Sequence, residues 1–383
     1  MHLSSRRHFL KNAAILAPVL SLMPSYLSAG TGSRLRIAFI GVGPWGLQYL
    51  THALQHRDLD VRAICDNDPV AVRKGLELFS NAGYSRPDVY TDTYKTLLDR
   101  KDIDAVLIAA PWHQHYEIAK AAMLADKHVA CGTIMGTTLA EHWDIVRTSE
   151  QTGCQYFTLD EHNYRSDLIV AANMVKQGVF GNVEAVRAGA NHYQLNGQRT
   201  PYPVYPATVV ARITGNAFVS LRTTKEKQQY VVNRPHPKTG DARLFFTSGT
   251  LETITLTTAT GQTVQLQSGA GDLSTGFHVK GSEGSWMDVS KSIYKKDAVN
   301  HVWEADKPYL QEYTIAVRNE RFKHSPENDN VALALQDFIN GIQQSTRSVY
   351  AAATNSVIGP LAVLSAKRGG AVVSFPDFSN GKA

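Results

Sequence analysis

The stretch LRIAFIGVGPWG, residues 35–46, runs from an apolar β-type segment into a G-x-G-x-x-G turn, and the helix-like LQYLTHALQ follows at 47–55. Strand, glycine turn and helix in that order open a dinucleotide-binding βαβ unit. Gly41, Gly43 and Gly46 let the main chain turn and approach a pyrophosphate, whose charge is met by the amide groups at the helix N-terminus. Twenty residues beyond Gly46 a second apolar strand, LDVRAICD, ends at Asp66. A carboxylate there accepts ribose hydroxyls and repels a 2′-phosphate, so the expected cofactor is NAD rather than NADP.

The alternation continues. YKTLLDR (94–100) reads as a short helix, DAVLIAA (104–110) as a buried strand, HYEIAKAAMLA (115–125) as a helix, KHVACG (127–132) as a strand and LAEHWDIVRTSEQT (139–152) as a helix. This pattern predicts a doubly wound parallel sheet, a Rossmann domain over residues 34–155. PWHQH, residues 111–115, follows directly on a strand's carboxyl end, where such sheets bind ligands, so Trp112 and His115 are candidate contacts.

From about Cys154 the pattern changes. Apolar alternation in EAVRAGANHY, AFVSLRTT, RLFFTSG, ETITLTTATGQTVQLQSG and GFHVKGSEGSWMDV predicts an antiparallel sheet joined by turn glycines. Helices are expected at Ser166 to Gln177, Asn330 to Ile342 and Ser356 to Ala366. The fold class is therefore α/β, with an N-terminal Rossmann domain and a C-terminal α+β domain carrying an open, mostly antiparallel sheet. The second domain is expected to span 156–325, with helices in 326–383 packing back on both.

A chain of 383 residues, 43% hydrophobic and 19% charged, suits two globular domains. Residues 1–30 are set apart: Ser5-Arg6-Arg7-His8-Phe9-Leu10-Lys11 precedes an apolar run from Ala13 to Met23, the pattern of a twin-arginine export signal. The run is about half of the ~20 residues that span a bilayer, so the expectation is a periplasmic protein without a membrane span in its mature chain. Removing the segment takes away Arg6, Arg7 and Lys11 and no acids, so the formal charge falls from +5 to +2. That leaves no basic field for nucleic acid. Cys65, Cys131 and Cys154 are odd in number and lack a C-x-x-C spacing, which indicates neither a disulfide framework nor a zinc site. Twin-arginine export carries folded chains, so a tightly held cofactor is expected.

PWHQH (111–115), HWDIVRTSEQTG (142–153), NYRSDLIVAANMVKQGVFGNV (163–183), YPVYP (202–206), GSEGSWMDVSKSIY (281–294), HVWEADKPYLQEY (301–313) and GGAVVSFPDF (369–378) carry a resemblance through most of the chain. The chain resembles the Gfo/Idh/MocA oxidoreductases and, more closely, the NAD-dependent glycosidases of glycoside hydrolase family 109. The resemblance implies a recycled NAD: a sugar C3 hydroxyl is oxidised, the C2 proton becomes acidic, the C1 substituent leaves by elimination, water adds and the hydride returns. Such chemistry needs a base at C2 and no pair of catalytic carboxylates. Two other readings share the scaffold: a sugar dehydrogenase that releases a keto-sugar, and a carbohydrate-binding paralogue with structural NAD.

Carried over, the cofactor contacts fall on Pro44, Trp45, Asp66, Trp112 to His115, Gly132, Thr133 and Glu161. The sugar contacts fall on Tyr202, Pro203, Val204 and Tyr205, with His192, Tyr164 and Arg199 beside them; Tyr202, Tyr205 and His192 are the catalytic candidates. Four departures stand out. Gly132-Thr133-Ile134 occupies the place of the branch's Glu-Val-Pro, Glu161 that of an asparagine, Tyr205 that of a histidine, and HSPENDN replaces a His-Gly-Gly segment. A free phenol titrates near ~10 and a free imidazole near ~6.5, and a positive nicotinamide ring would lower the phenol. In PYPVYP (201–206) the prolines hold Tyr202 and Tyr205 extended, with both projecting to one side. Pro206 then suits the first turn of a helix closed by Thr214-Gly215. The open sheet face is the expected surface of a homo-oligomer.

Overall fold

The computed structural model describes residues 34–189, 192–195, 198–201, 208, 210, 211, 213–215, 218–235, 242–269, 276–296, 302–309, 330–344 and 349–380. Six parallel strands form the first sheet: β1 (Leu35–Ile40), β2 (Leu59–Cys65), β3 (Asp88–Tyr90), β4 (Ala105–Ile108), β5 (His128–Gly132) and β6 (Tyr156–Leu159), in the order β3-β2-β1-β4-β5-β6. The crossovers carry α1 (Pro44–Gln55), α2 (Pro69–Asn81), α3 (Tyr94–Leu98), α4 (His115–Leu124) and α5 (Leu139–Thr152). Both faces are covered, which explains the continuous apolar runs of the strands. Along β1, Ile37 and Phe39 join the core beneath α1 and α2, while Ala38 and Ile40 join the core beneath α4 and α5.

Three of these elements are absent from the sequence reading, each for lack of a strong pattern. Helix α2 begins at an Asp68 cap, whose side chain accepts from the Val70 N–H, yet buries only Ala71, Gly75 and Phe79. β3 has three residues, and β6 is a four-residue run behind Gly153, the left-handed cap of α5 at φ 74°. Because β6 pairs with β5, the parallel sheet reaches residue 159, past the expected boundary at 155.

Among the described residues the second sheet has nine strands. β7 (Val183–Gly189) follows α6 (Ser166–Lys176), and β8 (His192–Leu195) pairs with β9 (Gln198–Pro201) in a two-stranded ribbon. Then come β10 (Phe218–Pro235), β11 (Ala242–Thr258), β12 (Thr263–Gly269), β13 (Phe277–Gly281), β14 (Gly284–Met287), β15 (Ser292–Lys295), β16 (Glu304–Ala305) and β17 (Val373–Ser374). Among them only β7 and β12 pair in parallel. β10 and β11 pair along their whole length, in constant register from Ser220↔Thr257 to Pro235↔Ala242 after an irregularity between Phe218 and Ser220, where the alternation suggests shorter strands. The polar stretch Thr223 to Gln229 interrupts the pattern without interrupting the ladder.

Among the described residues three C-terminal helices follow: α7 (Asn330–Gln343), α8 (Val349–Ser356) and α9 (Ile358–Lys367). α7 lies against α1 and β6, α8 against α5 and β6, and α9 against β10. The helix expected at Ser356 to Ala366 is α9, which starts two residues later, and α8, which ends at Ser356 before it, is absent from the sequence reading. By length and composition Val349–Lys367 is apolar enough to cross a membrane, but more than half of it is buried in this core. Thr208, Val210, Ala211, Ile213 and Thr214 are helical, and Gly215 follows at φ 86° with its N–H on the Ala211 carbonyl.

Candidate functional site

The carboxyl ends of β1, β2, β4 and β5 open on a cleft of about 750 Å³. Its floor is the glycine turn. Gly41 has φ +94°, and a β-carbon there would lie 2.6 Å from the Ala109 carbonyl. Gly46 brings α1 against β1, since its β-carbon would overlap the Gly41 carbonyl oxygen. Gly43 is different: its β-carbon would meet no described atom within 4 Å, and the position faces the cleft. Gly43 is also the N-cap of α1, with no side-chain cap and with Pro44 in the first turn. The first free amides of α1 are thus left to a ligand, and an anion suits them.

Asp66 joins this turn to the end of β2. Its Oδ2 accepts from the Val42 N–H at 2.7 Å and its Oδ1 from the Asp68 N–H at 2.9 Å. Each carboxylate oxygen keeps a lone pair free, so a ribose diol can be held as well. The glycine cradle, the uncapped helix and Asp66 together fit the phosphates and ribose of a dinucleotide.

Across the cleft stand Trp45, Trp112, His115, Gly132 and Thr133. His115 is 1% exposed, with Nδ1 2.6 Å from the Ile134 carbonyl and Nε2 2.7 Å from the Ala110 carbonyl. Burial pushes its pKa below the ordinary value. The ring lies in the wall, but its nitrogens are engaged by main chain, so it ties the ends of β4 and β5 together. Gly132 abuts it: a β-carbon there would sit 3.2 Å from His115 Cε1 and 3.7 Å from Trp45 Cη2. The two rings leave little room for a longer side chain where the resemblance would place a glutamate.

Glu161 and Tyr164 lie outside the cleft wall. The Tyr49 hydroxyl donates to Glu161 Oε2 at 3.1 Å, and Tyr49 packs on Trp45 with ring centroids 4.3 Å apart. Burial first, and the Glu161 charge second, hold the Tyr49 phenol well above 10. The Tyr164 hydroxyl donates to Asp337 of α7 at 2.7 Å. These two side chains are engaged by the helices rather than offered to the cleft.

Next to Glu161, Asp160 is 1% exposed; its Oδ2 accepts from the Thr208 hydroxyl at 2.5 Å and its Oδ1 from the His162 N–H at 3.1 Å. The ligand atoms of Asp160, Glu161 and His162 lie within 4.8 Å of one another. Hydrogen bonds to Thr208, His162 and Tyr49 already occupy this group.

His192 begins β8 opposite Pro201, and Arg199 pairs with Gln194. Tyr202, Pro203, Val204 and Tyr205 lie outside the described residues. Tyr49, Asp160 and Thr208 were not anticipated. For Tyr49 a signal existed, because it stands four residues after Trp45 and hence on the same helix face.

Two family profiles match in succession: the NAD-binding Rossmann fold of the oxidoreductase family over residues 35–159, and the C-terminal domain of glycosyl hydrolase 109 over residues 198–383. A glycosyl hydrolase family 109 protein of Stenotrophomonas maltophilia is 29% identical, covering 100% of this chain and 97% of its own. An alpha-N-acetylgalactosaminidase of Tannerella forsythia is 27% identical over 91% of this chain and 87% of its own. Among solved structures, an NAD-binding oxidoreductase from Klebsiella pneumoniae superposes with a TM-score of 0.64 at 16% identity, over 90% of this chain and 100% of that one. A levoglucosan dehydrogenase in complex with NADH and L-sorbose gives 0.63 at 17% identity, with the same coverage. At these identities the structures speak for the fold alone. With both halves matched in order and full-length relatives of the same kind, the chain belongs to the Gfo/Idh/MocA oxidoreductases as a divergent member of their glycosyl hydrolase 109 branch.

Proposed function

We propose that the protein is an NAD-dependent enzyme that cleaves glycosides by redox-assisted elimination and addition of water. The observation that carries this reading is one chain that joins a dinucleotide-shaped cleft to a glycosyl hydrolase 109 C-terminal half. Asp66 holds the adenosine ribose, the amides of α1 hold the pyrophosphate, and Gly132 and Thr133 border the remaining half. Bound there, NAD supplies reversible oxidation of the sugar's C3 hydroxyl, which makes the C2 proton removable. Tyr205 is assigned that proton and Tyr202 the packing of the sugar ring; both are stiffened by their prolines, which limits the entropy lost on binding. Retention of the cofactor through turnover and export by residues 1–30 belong to the same reading. The substrate class is a terminal glycoside, and alpha-N-acetylgalactosaminides, on which the Tannerella relative acts by name, head the panel to be tried.

The test is to purify the protein, identify any nucleotide released on denaturation, and incubate the native protein with a glycoside panel in deuterated water without added NAD. Free sugar carrying deuterium at C2, with NAD bound, is the expected result. A keto-sugar formed with stoichiometric NADH would assign a dehydrogenase instead, and bound nucleotide without turnover a carbohydrate-binding paralogue. Failure to hold or bind any nucleotide would remove the cofactor reading altogether.

A further inference from the structure

Residues 133–138 follow β5 and bring Thr133, beside Gly132, into the cleft wall. Contacts from three directions hold their main chain. His115 meets the Ile134 carbonyl at 2.6 Å. Glu141 accepts the N–H groups of Thr137 and Thr138 at 2.6 and 3.1 Å. The third contact is remote in sequence: the Met135 N–H donates to Ser356 Oγ, 2.8 Å away, at the end of α8.

Ser356 does not act alone. Its hydroxyl is 2.8 Å from His142 Nε2, and His142 Nδ1 is 2.7 Å from the Thr138 carbonyl. His142 is 0% exposed, Met135 1% and Ser356 4%. Burial pushes the His142 pKa down to about 4, so its ring is neutral at neutral pH and carries one N–H. A carbonyl only accepts, so that N–H sits on Nδ1, and Nε2 accepts the Ser356 hydroxyl proton. The hydroxyl oxygen is thereby turned toward Met135. The resulting chain runs from the Met135 N–H through Ser356 and His142 to the Thr138 carbonyl, beginning and ending on the same loop.

With ribose at Asp66 and pyrophosphate at α1, the rest of a dinucleotide extends over the ends of β4 and β5, where Gly132 and Thr133 stand. We propose that Ser356 is a positioning residue for the nicotinamide half of the cofactor: through Met135 it sets where Gly132 and Thr133 lie in the cleft wall. The proposal rests on the NAD reading above. It makes the C-terminal helices part of the cofactor site without touching the cofactor, as a supporting shell does for groups that contact a ligand.

The experiment compares NAD with ADP-ribose, which lacks only the nicotinamide ring, by calorimetric titration of wild type and Ser356→Ala, with the thermal midpoint of each recorded. The expected result is about tenfold weaker NAD binding in Ser356→Ala, for the loss of one positioning hydrogen bond, with ADP-ribose unchanged within about twofold. If Ser356→Ala unfolds, Ser356→Cys keeps the volume while weakening the acceptor and carries the same test. A folded variant in which both ligands weaken equally, or neither does, overturns the proposal and leaves Ser356 a merely structural residue. A wild type that binds ADP-ribose as tightly as NAD overturns the proposal alone, whereas one that binds neither ligand overturns the NAD reading and this proposal with it.

Discussion

Replacing Gly43 by alanine puts a methyl group at the floor of the cleft without disturbing the fold around it. The new β-carbon has no described atom within 4 Å, and Gly43 already has φ −64°, which any residue adopts. Alanine is a poorer helix N-cap than glycine, which costs about 1 kcal/mol or less of stability. The effect on the ligand is larger. A methyl between the α1 amides and a pyrophosphate lengthens charge-assisted hydrogen bonds, each worth about 1.5–3 kcal/mol, which corresponds to about tenfold to a hundredfold weaker NAD binding. Gly41→Ala is the control. Its β-carbon would sit 2.6 Å from the Ala109 carbonyl carbon and oxygen and 2.8 Å from the Ala110 nitrogen, all main-chain atoms, at φ +94°. Strain and overlap together cost roughly 2–6 kcal/mol, so this variant loses stability as well as binding. Urea denaturation gives the stability, and calorimetric titration with NAD gives the affinity. A Gly43→Ala protein that folds normally and binds NAD like wild type would refute the placement of pyrophosphate at the start of α1.

Asp66→Asn removes the charge that repels a 2′-phosphate and disturbs the carboxylate that accepts the Val42 N–H, so NAD binding weakens and the preference for NAD over NADP narrows to within about tenfold, checked by titrating both. In Asp167 burial works against the charge, but the hydrogen bond and charge of Arg165, with Lys291 at 3.1 Å, hold the carboxyl below its usual value. Its contribution is therefore present above about pH 4 and is lost as pH falls through the lower folded value; the stability gap between wild type and Asp167→Asn closes on acidification, read by denaturation at several pH values. For His142 the unfolded chain takes up a proton near 6.5 and the folded chain only near 4, so stability falls as pH drops through that window, by up to about 3 kcal/mol. His142→Gln removes that slope; an unchanged slope in a folded His142→Gln protein counts against the buried neutral ring.

The Rossmann half was readable because its signals are local. Gly41, Gly43, Gly46 and Asp66 lie within one strand–turn–helix–strand unit, and their roles follow from main-chain conformation and distance along the chain. The second sheet was visible as alternation, although β10 and β11 read as fragments because the polar stretch after Leu221 hides the continuity of the hairpin. β3, α2 and β6 escaped notice because they are too short or too thinly apolar to leave a period.

The sequence by itself determined that the chain builds a dinucleotide cleft and which glycines and carboxylate line its floor. Only the tertiary structure decided what the neighbouring polar groups do. It sets His115 between two main-chain carbonyls, turns Glu161 to Tyr49 and Tyr164 to Asp337, and brings Ser356 to Met135 across 221 positions. The reason is physical: a turn or a strand is specified by the conformational preferences of adjacent residues, whereas a buried donor must find its acceptor in whatever element packing brings within about 3 Å. Spacing along the chain does not encode that choice, so a residue type that suggested a ligand contact in the sequence became, in the fold, a partner for main chain or helix.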